Sequence, residues 1–276
     1  MTLGVAAVFP WSGLIDSWPE SLRRVLEAMP QFRPAPAIVM ASDTRWTYKV
    51  GTDFEDGAVK VVALSRYALA IYAGDTEVGP RALGSLTDRL ASRGEMSCAR
   101  VVQEARASLS ASWRRFALPD SRSQVCIGVF HKRDGLRLWR FDSSDGFRPR
   151  ESAGIETIGS DSARLLFWQN LREEVSRQTS KPLSESAFGM DKETWGTVLS
   201  IALWRTCKSG LDETIGGPLL LGHLTQTGVQ GRSLHAVDLD MQTSQQLTLN
   251  AVDAEEFQLR QRREFGGAEA FGIPCR

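Results

Sequence analysis

Apolar residues along the chain fall into short β-branched runs, and groups of these runs alternate with longer stretches of helical spacing. The first group is TLGVAAVF (2–9), PAIVMASD (36–43), AVKVVALS (58–65) and YALAIYAG (67–74); each is bounded by Gly, Pro, Asp or Ser and predicts a strand. Two helices are expected next, over 76–92 and 96–116, the second carrying Val101, Val102, Ala105, Leu109 and Trp113 at helical intervals. QVCIGVFHK and LRLWRFDS around the turn RDG, then GIETIGS, form a second strand group, followed by helices over 161–177 and 191–208. The last group is PLLLGHLTQ, SLHAVDLD and QQLTLNAV, with a charged helix through AEEFQLRQRREF.

Consecutive strands joined by short turns pair antiparallel, and helices arriving in pairs cover the outer faces of packed sheets. The expected fold class is therefore α+β, with two antiparallel sheets between two helical layers. Residues 12–35 interrupt what otherwise reads as a hairpin of the first two strands. Ser17 and Glu20 around Pro19 form a capping-box pattern, and Leu22, Val25, Leu26 and Met29 share one helical face, so a helix is expected inside the insertion. The domain reading is one unit over 1–250 with this insertion, and a C-terminal helical extension over 251–276.

Composition narrows the function. The chain has 276 residues, 42% of them hydrophobic, enough to bury a sizeable core. Lys+Arg and Asp+Glu are both 33, so a basic footprint for nucleic acid or for an anionic membrane is not expected. Runs such as VLSIALW and PLLLG are too short to span a bilayer, and no basic residue precedes the apolar start, so neither a membrane span nor a signal peptide is expected. Cys98, Cys126, Cys207 and Cys275 are scattered without a CxxC, and His131, His223 and His235 lack ligand spacing. A reducing, cytoplasmic setting without a metal or other cofactor follows as the expectation.

If the first two strands form an antiparallel hairpin, its open end sets Thr2 opposite ASDTR, and Asp43 lands beside the start of the chain. The third and fourth strands bring Lys60 and Gly74 to the same end. Each residue alone has an ordinary reading: a start residue, a turn carboxylate, a snorkelling lysine, a plain AGD turn. Together they form a chemical set. Once Met1 is removed, Thr2 carries a hydroxyl and a free α-amine with a reference pKa of roughly 7.7–8.0, suited to a general base. A neighbouring Lys60 ammonium favours the neutral amine, Asp43 holds Lys60, and the N–H of Gly74 can donate to an oxyanion.

On these residues the sequence resembles the proteasome β-subunit family, including its simpler bacterial self-compartmentalising relatives. The first strand, IVMASDTRWT, KVV and AIYAGD match the block around that family's catalytic residues. The resemblance implies a proteasome-like N-terminal-nucleophile hydrolase fold, a four-layer αββα sandwich. It implies Thr2 as nucleophile, Asp43 and Lys60 as its charged partners and Gly74 as oxyanion donor. Arg45 and Thr47 fall in the segment whose backbone lines the substrate cleft. TIGSDSARLL matches a later block and makes Ser160 an auxiliary serine; LDETIGGP makes Asp212 an auxiliary aspartate. A second auxiliary serine of the family is matched by Ile215, a departure, as are the 12–35 insertion and the tail beyond about residue 240. Only Met1 precedes Thr2, so an aminopeptidase, and not autocleavage, would expose it. Tyr72, with Trp46 and Val62 beside it, would floor a shallow apolar pocket. The activity so implied is hydrolysis of peptide bonds in a peptide or unfolded protein by a homo-oligomer. The chain lacks a GxxxxGK[ST] loop, so any ATP use would fall to a separate unfoldase partner. A small-amide hydrolase of the same fold and a catalytically silent assembly subunit are the alternative readings.

Overall fold

Two strands at the centre of the molecule explain its layering. β1 (Leu3–Phe9, LGVAAVF) and β2 (Ala37–Asp43, AIVMASD) are apolar at almost every position and buried along nearly their whole length, so both of their faces must be covered. In the computed structural model, which describes residues 3–9, 36–48, 53–56, 58–93, 96–179, 192–216 and 219–234, they are covered by a second sheet on one side and helices on the other.

The first sheet runs β10-β1-β2-β11-β12, where β10 is Ile155–Gly159, β11 Leu219–Thr225 and β12 Gly228–Leu234. The second runs β5-β6-β7-β8-β9, from Val61–Ser65, Ala68–Gly74, Ser123–His131, Gly135–Asp142 and Arg150–Ser152. All pairings in both are antiparallel. β3 (Arg45–Tyr48) and β4 (Asp53–Asp56) make a separate two-stranded ribbon. The architecture is thus mixed α+β with two antiparallel sheets.

Residue parity assigns the layers, because successive strand side chains point to opposite faces. Ala6, Ile38, Met40, Leu220 and Leu224 join the second sheet in one core cluster. That cluster continues through Leu83, Leu86, Val101, Ala105 and Leu109 of helices α1 (Val78–Arg93) and α2 (Cys98–Phe116). Leu3, Val5, Val39, Ala41, Leu219 and Leu221 point the other way. They pack on Phe167, Leu171, Val198 and Ala202 of α3 (Asp161–Thr179) and α4 (Lys192–Lys208). Among the described residues no helix is long and apolar enough to cross a membrane.

Of the six expected helices, the four over 76–92, 96–116, 161–177 and 191–208 fall on described residues and occur, and most expected strands occur within a few residues of their predicted bounds. The last hairpin needs correction. Its second strand is GVQGRSL at 228–234, which was not expected and takes in Ser233 and Leu234 of the expected SLHAVDLD; the rest of that stretch, 235–240, lies outside the described residues. Thr225 pairs with Gly228 across a tight turn, and Gly228 at φ +127° supplies the left-handed residue that turn requires. The β3–β4 ribbon and β9 were not expected either; RWTY, DFED and RES are short and mostly polar. The 12–35 insertion with Leu22, Val25, Leu26 and Met29, the expected strand over 245–252 and the 251–276 extension lie outside the described residues.

Candidate active site

Asp43 closes β2 and is fully buried. Ionised carboxylates survive such burial only when their oxygens are filled. Its Oδ1 accepts the N–H of Leu3 at 3.1 Å and the ammonium of Lys60 at 3.3 Å. Its Oδ2 accepts the N–H groups of Gly216 at 3.1 Å and Arg45 at 3.3 Å, and Lys60 again at 3.4 Å. Burial pushes the Asp43 carboxyl above the ordinary carboxylate range, against the pull of the Lys60 charge and of the Leu3 and Gly216 N–H groups. Lys60, 2% exposed, stands one residue before β5 and also donates to the carbonyl of Arg45. The two sheets are therefore joined at this end by one buried ion pair.

The register carries the rest of the site to the same end. Tyr72 of β6 donates its N–H to the carbonyl of Lys60 at 3.3 Å, and Gly74 follows two residues on, about 7 Å along the strand. Gly74 has φ +104°, and a Cβ there would sit 2.0 Å from the carbonyl oxygen of Arg122, so only glycine fits. Asp75 fixes the turn beyond it: its N–H donates to that same Arg122 oxygen at 2.6 Å, and its carboxylate accepts the N–H groups of Glu77 and Val78 at the start of α1. Tyr72 is 4% exposed, and its hydroxyl has no hydrogen-bond partner among the described residues. Burial, then the charge of Asp43, raises its pKa. Val62 is buried in the core cluster that runs from the two sheets into α1 and α2.

On the other flank of β1, Leu3 pairs with Gly159, and Ser160 follows immediately at the start of α3. The Ser160 hydroxyl donates to Asp212 Oδ2 and accepts the N–H of Ala163 at 3.4 Å, so it caps the helix and holds the carboxylate at once. Thr214 gives Asp212 Oδ1 both its hydroxyl and its N–H, the latter at 3.0 Å. Burial would raise the Asp212 pKa, but the hydrogen bonds from Ser160 and Thr214 outweigh it and hold it below the ordinary value. The loop carrying Asp212 is bound to β2: Gly216 donates to Asp43, and its carbonyl accepts the N–H groups of Thr44 and Arg45 at 3.1 Å each. The Arg45 guanidinium lies against Gly216, where a Cβ would come within 2.6 Å of Cζ, and donates to the carbonyl of Glu213 at 3.2 Å.

Asp43, Lys60, Ser160 and Asp212 are thus gathered around the first residue of β1, with Gly74 on the adjoining strand. Thr2 lies outside the described residues, as do the side chains of Trp46 and Thr47, whose backbones form β3. Ile215 is buried in the core between the first sheet and α3–α4.

Three supporting residues were not anticipated. Thr214 binds the Asp212 carboxylate. Gly216 binds the Asp43 carboxylate from the loop that carries Asp212. Gln124 of β7 accepts the N–H of Gly159 at 2.8 Å and donates to Asp142 at 2.7 Å, a strut between the sheets. Among the described residues, no group of three or more His, Cys, Asp and Glu is placed to hold a metal.

A scan against protein-family models and a search of curated proteins find no match for this chain.

Proposed function

We propose that this chain is an N-terminal-nucleophile hydrolase of proteasome-like fold that cuts peptide bonds with Thr2. One observation carries the reading: Asp43 binds the N–H of Leu3 and the ammonium of Lys60 together, at the end of β1 to which Thr2 is covalently attached. A buried ammonium held on the same carboxylate as the start of a strand has a chemical use if the preceding residue is a nucleophile with a free amine.

In this mechanism the hydroxyl oxygen of Thr2 attacks the substrate carbonyl carbon, and its proton passes to the α-amine of the same residue. Lys60 keeps that amine neutral beforehand by charge repulsion. The N–H of Gly74 stabilises the oxyanion. The C–N bond then breaks, the leaving amine takes the proton, and an ester to Thr2 remains. Water attacks the ester with the amine again acting as base, which releases the acid and restores Thr2. Tyr72, large and uncharged, would floor the pocket for the side chain preceding the cut. A charged side chain entering there would lose hydration without a partner, so small or medium apolar side chains are preferred.

The test starts with intact mass. Active protein must lack Met1, because an acylated Thr2 nitrogen is an amide and not a base. Thr2→Ala should abolish cleavage of fluorogenic peptides with folding intact, and Thr2→Ser should keep part of it. Cleavage by protein that retains Met1, or by Thr2→Ala at the wild-type rate, refutes the mechanism. Small amides run in the same panel separate a peptidase from an amidohydrolase, and protein that retains Met1 and is inert favours an assembly role.

A further inference from the structure

The hydroxyl of Thr214 has no place in the reading above, yet it binds a carboxylate that does. Asp212 has four lone-pair positions when ionised. Thr214 fills two of them on Oδ1 with its N–H and hydroxyl, and Ser160 fills one on Oδ2. Ser160 adjoins Gly159, the β10 partner of Leu3, while the loop of Asp212 reaches Asp43 through Gly216. The acceptor position that the described residues leave on Oδ2 therefore belongs to a carboxylate tethered from both flanks of β1. Ile215, which the resemblance aligned with a serine, is buried in the apolar core and offers no hydroxyl.

We infer that Thr214 is a positioning residue for the hydrolysis proposed above: it locks Asp212 so that the open lone pair of Oδ2 receives the protonated amine of Thr2 while that amine holds the proton. The inference rests on the N-terminal-nucleophile reading and adds to it a residue that acts through Asp212. A turn that merely closes on itself would make the same Asp212–Thr214 contacts, so the test must read the chemistry as well as the fold.

The experiment compares Thr214→Val with Thr214→Ser, each in the full-length chain. Thr214→Val keeps the shape and the backbone N–H but loses the hydroxyl. It should lower kcat by about 10- to 100-fold, the worth of one hydrogen bond to a charged group, with KM within about twofold of wild type. The acid limb of its kcat–pH profile should move to higher pH. Thr214→Ser should restore both the rate and the profile. A readout without turnover is the Asp212 carboxyl titration by carbon NMR in the Thr2→Ala background, which should move upward in Thr214→Val and not in Thr214→Ser. If Thr2→Ala is inert but Thr214→Val keeps the wild-type kcat and titration, the positioning role is overturned and the hydrolase reading stands. If Thr2→Ala cleaves at the wild-type rate, the hydrolase reading falls and this role falls with it.

Discussion

Replacing Lys60 by Met removes one charge from the most buried part of the site while keeping most of the apolar stem. The loss can be estimated from the contacts. The Lys60 ammonium donates to both oxygens of Asp43, at 3.3 and 3.4 Å, and to the carbonyl of Arg45. Removing one member of a buried ion pair costs about 3–5 kcal/mol, and leaving the Arg45 carbonyl without that donor adds on the order of 1 kcal/mol. Against this, Asp43 keeps the N–H groups of Leu3, Arg45 and Gly216 and can take up a proton. A net loss of about 3 kcal/mol at neutral pH is expected. The pH dependence has a definite sign. Burial already places the folded pKa of Asp43 above its ordinary 3.8, and losing the Lys60 charge raises it further. A group so raised contributes stability that is fully present below its unfolded pKa and is lost as pH rises through its folded pKa. The deficit of Lys60→Met should therefore be widest near neutrality and narrow toward acid, where Asp43 is neutral in both proteins and the wild-type ammonium has lost its partner. Urea denaturation followed by tryptophan fluorescence, at fixed protein concentration near pH 7.5 and pH 4.5, measures this. A deficit below about 1 kcal/mol at the higher pH, or one that grows in acid, refutes the account of this pair.

Gly74→Ala should cost at least about 2 kcal/mol in the same denaturation assay, from left-handed backbone strain and the collision with Arg122; wild-type stability would mean the turn can be rebuilt. Tyr72→Phe deletes a buried hydroxyl that has no partner among the described residues, so it should leave stability unchanged or raise it by up to about 1 kcal/mol; a clear loss would show the hydroxyl bonded in solution. Ser160→Ala removes a helix cap and a donor to Asp212, with an expected loss of about 1 kcal/mol. Because the Asp212 pKa is held below its ordinary 3.8, the stability it contributes is present above that pH and disappears as pH falls through the folded value, so this deficit should shrink in acid. Profiling with peptide libraries should find small or medium apolar side chains before the cut; a strong preference for Arg or Asp would dismiss Tyr72 as the pocket floor.

What the sequence disclosed and what it hid follow from how each element is stabilised. β1, β2, β5 and β6 lie between covering layers, so their apolar runs are continuous and end abruptly at Gly, Pro, Asp or Ser. Antiparallel pairing then forces the ends of successive strands together, which is why Asp43 and Lys60 could be placed beside the start of β1 before any contact was known. β3, β4 and β9 carry no comparable apolar run. β12 was missed because its pairing with β11 rests on the turn at Gly228, and GVQGRSL carries two glycines and little apolar character.

The outer half of the site was hidden for a different reason. Ser160 and Asp212 are 52 residues apart, one at a helix start and the other in a loop, and neither sits in a periodic pattern that could have paired them. Only the resemblance named both. It also directed attention to Ile215, where the fold instead needs an apolar side chain under α3 and α4, while the hydroxyl that Asp212 receives in addition to that of Ser160 comes from Thr214, the residue just before it. A one-residue offset of this kind is invisible to spacing arguments on a loop, because loop side chains have no fixed period to betray which of two neighbours faces the carboxylate. Gln124 was hidden because its bond to Gly159 crosses from one sheet to the other, and sheet-to-sheet distances depend on every layer of the packing between them. Strand ends could thus be placed from sequence because backbone pairing is nearly the same in every antiparallel sheet. The side chains that tune the chemistry at those ends depend on the tertiary packing of this particular chain.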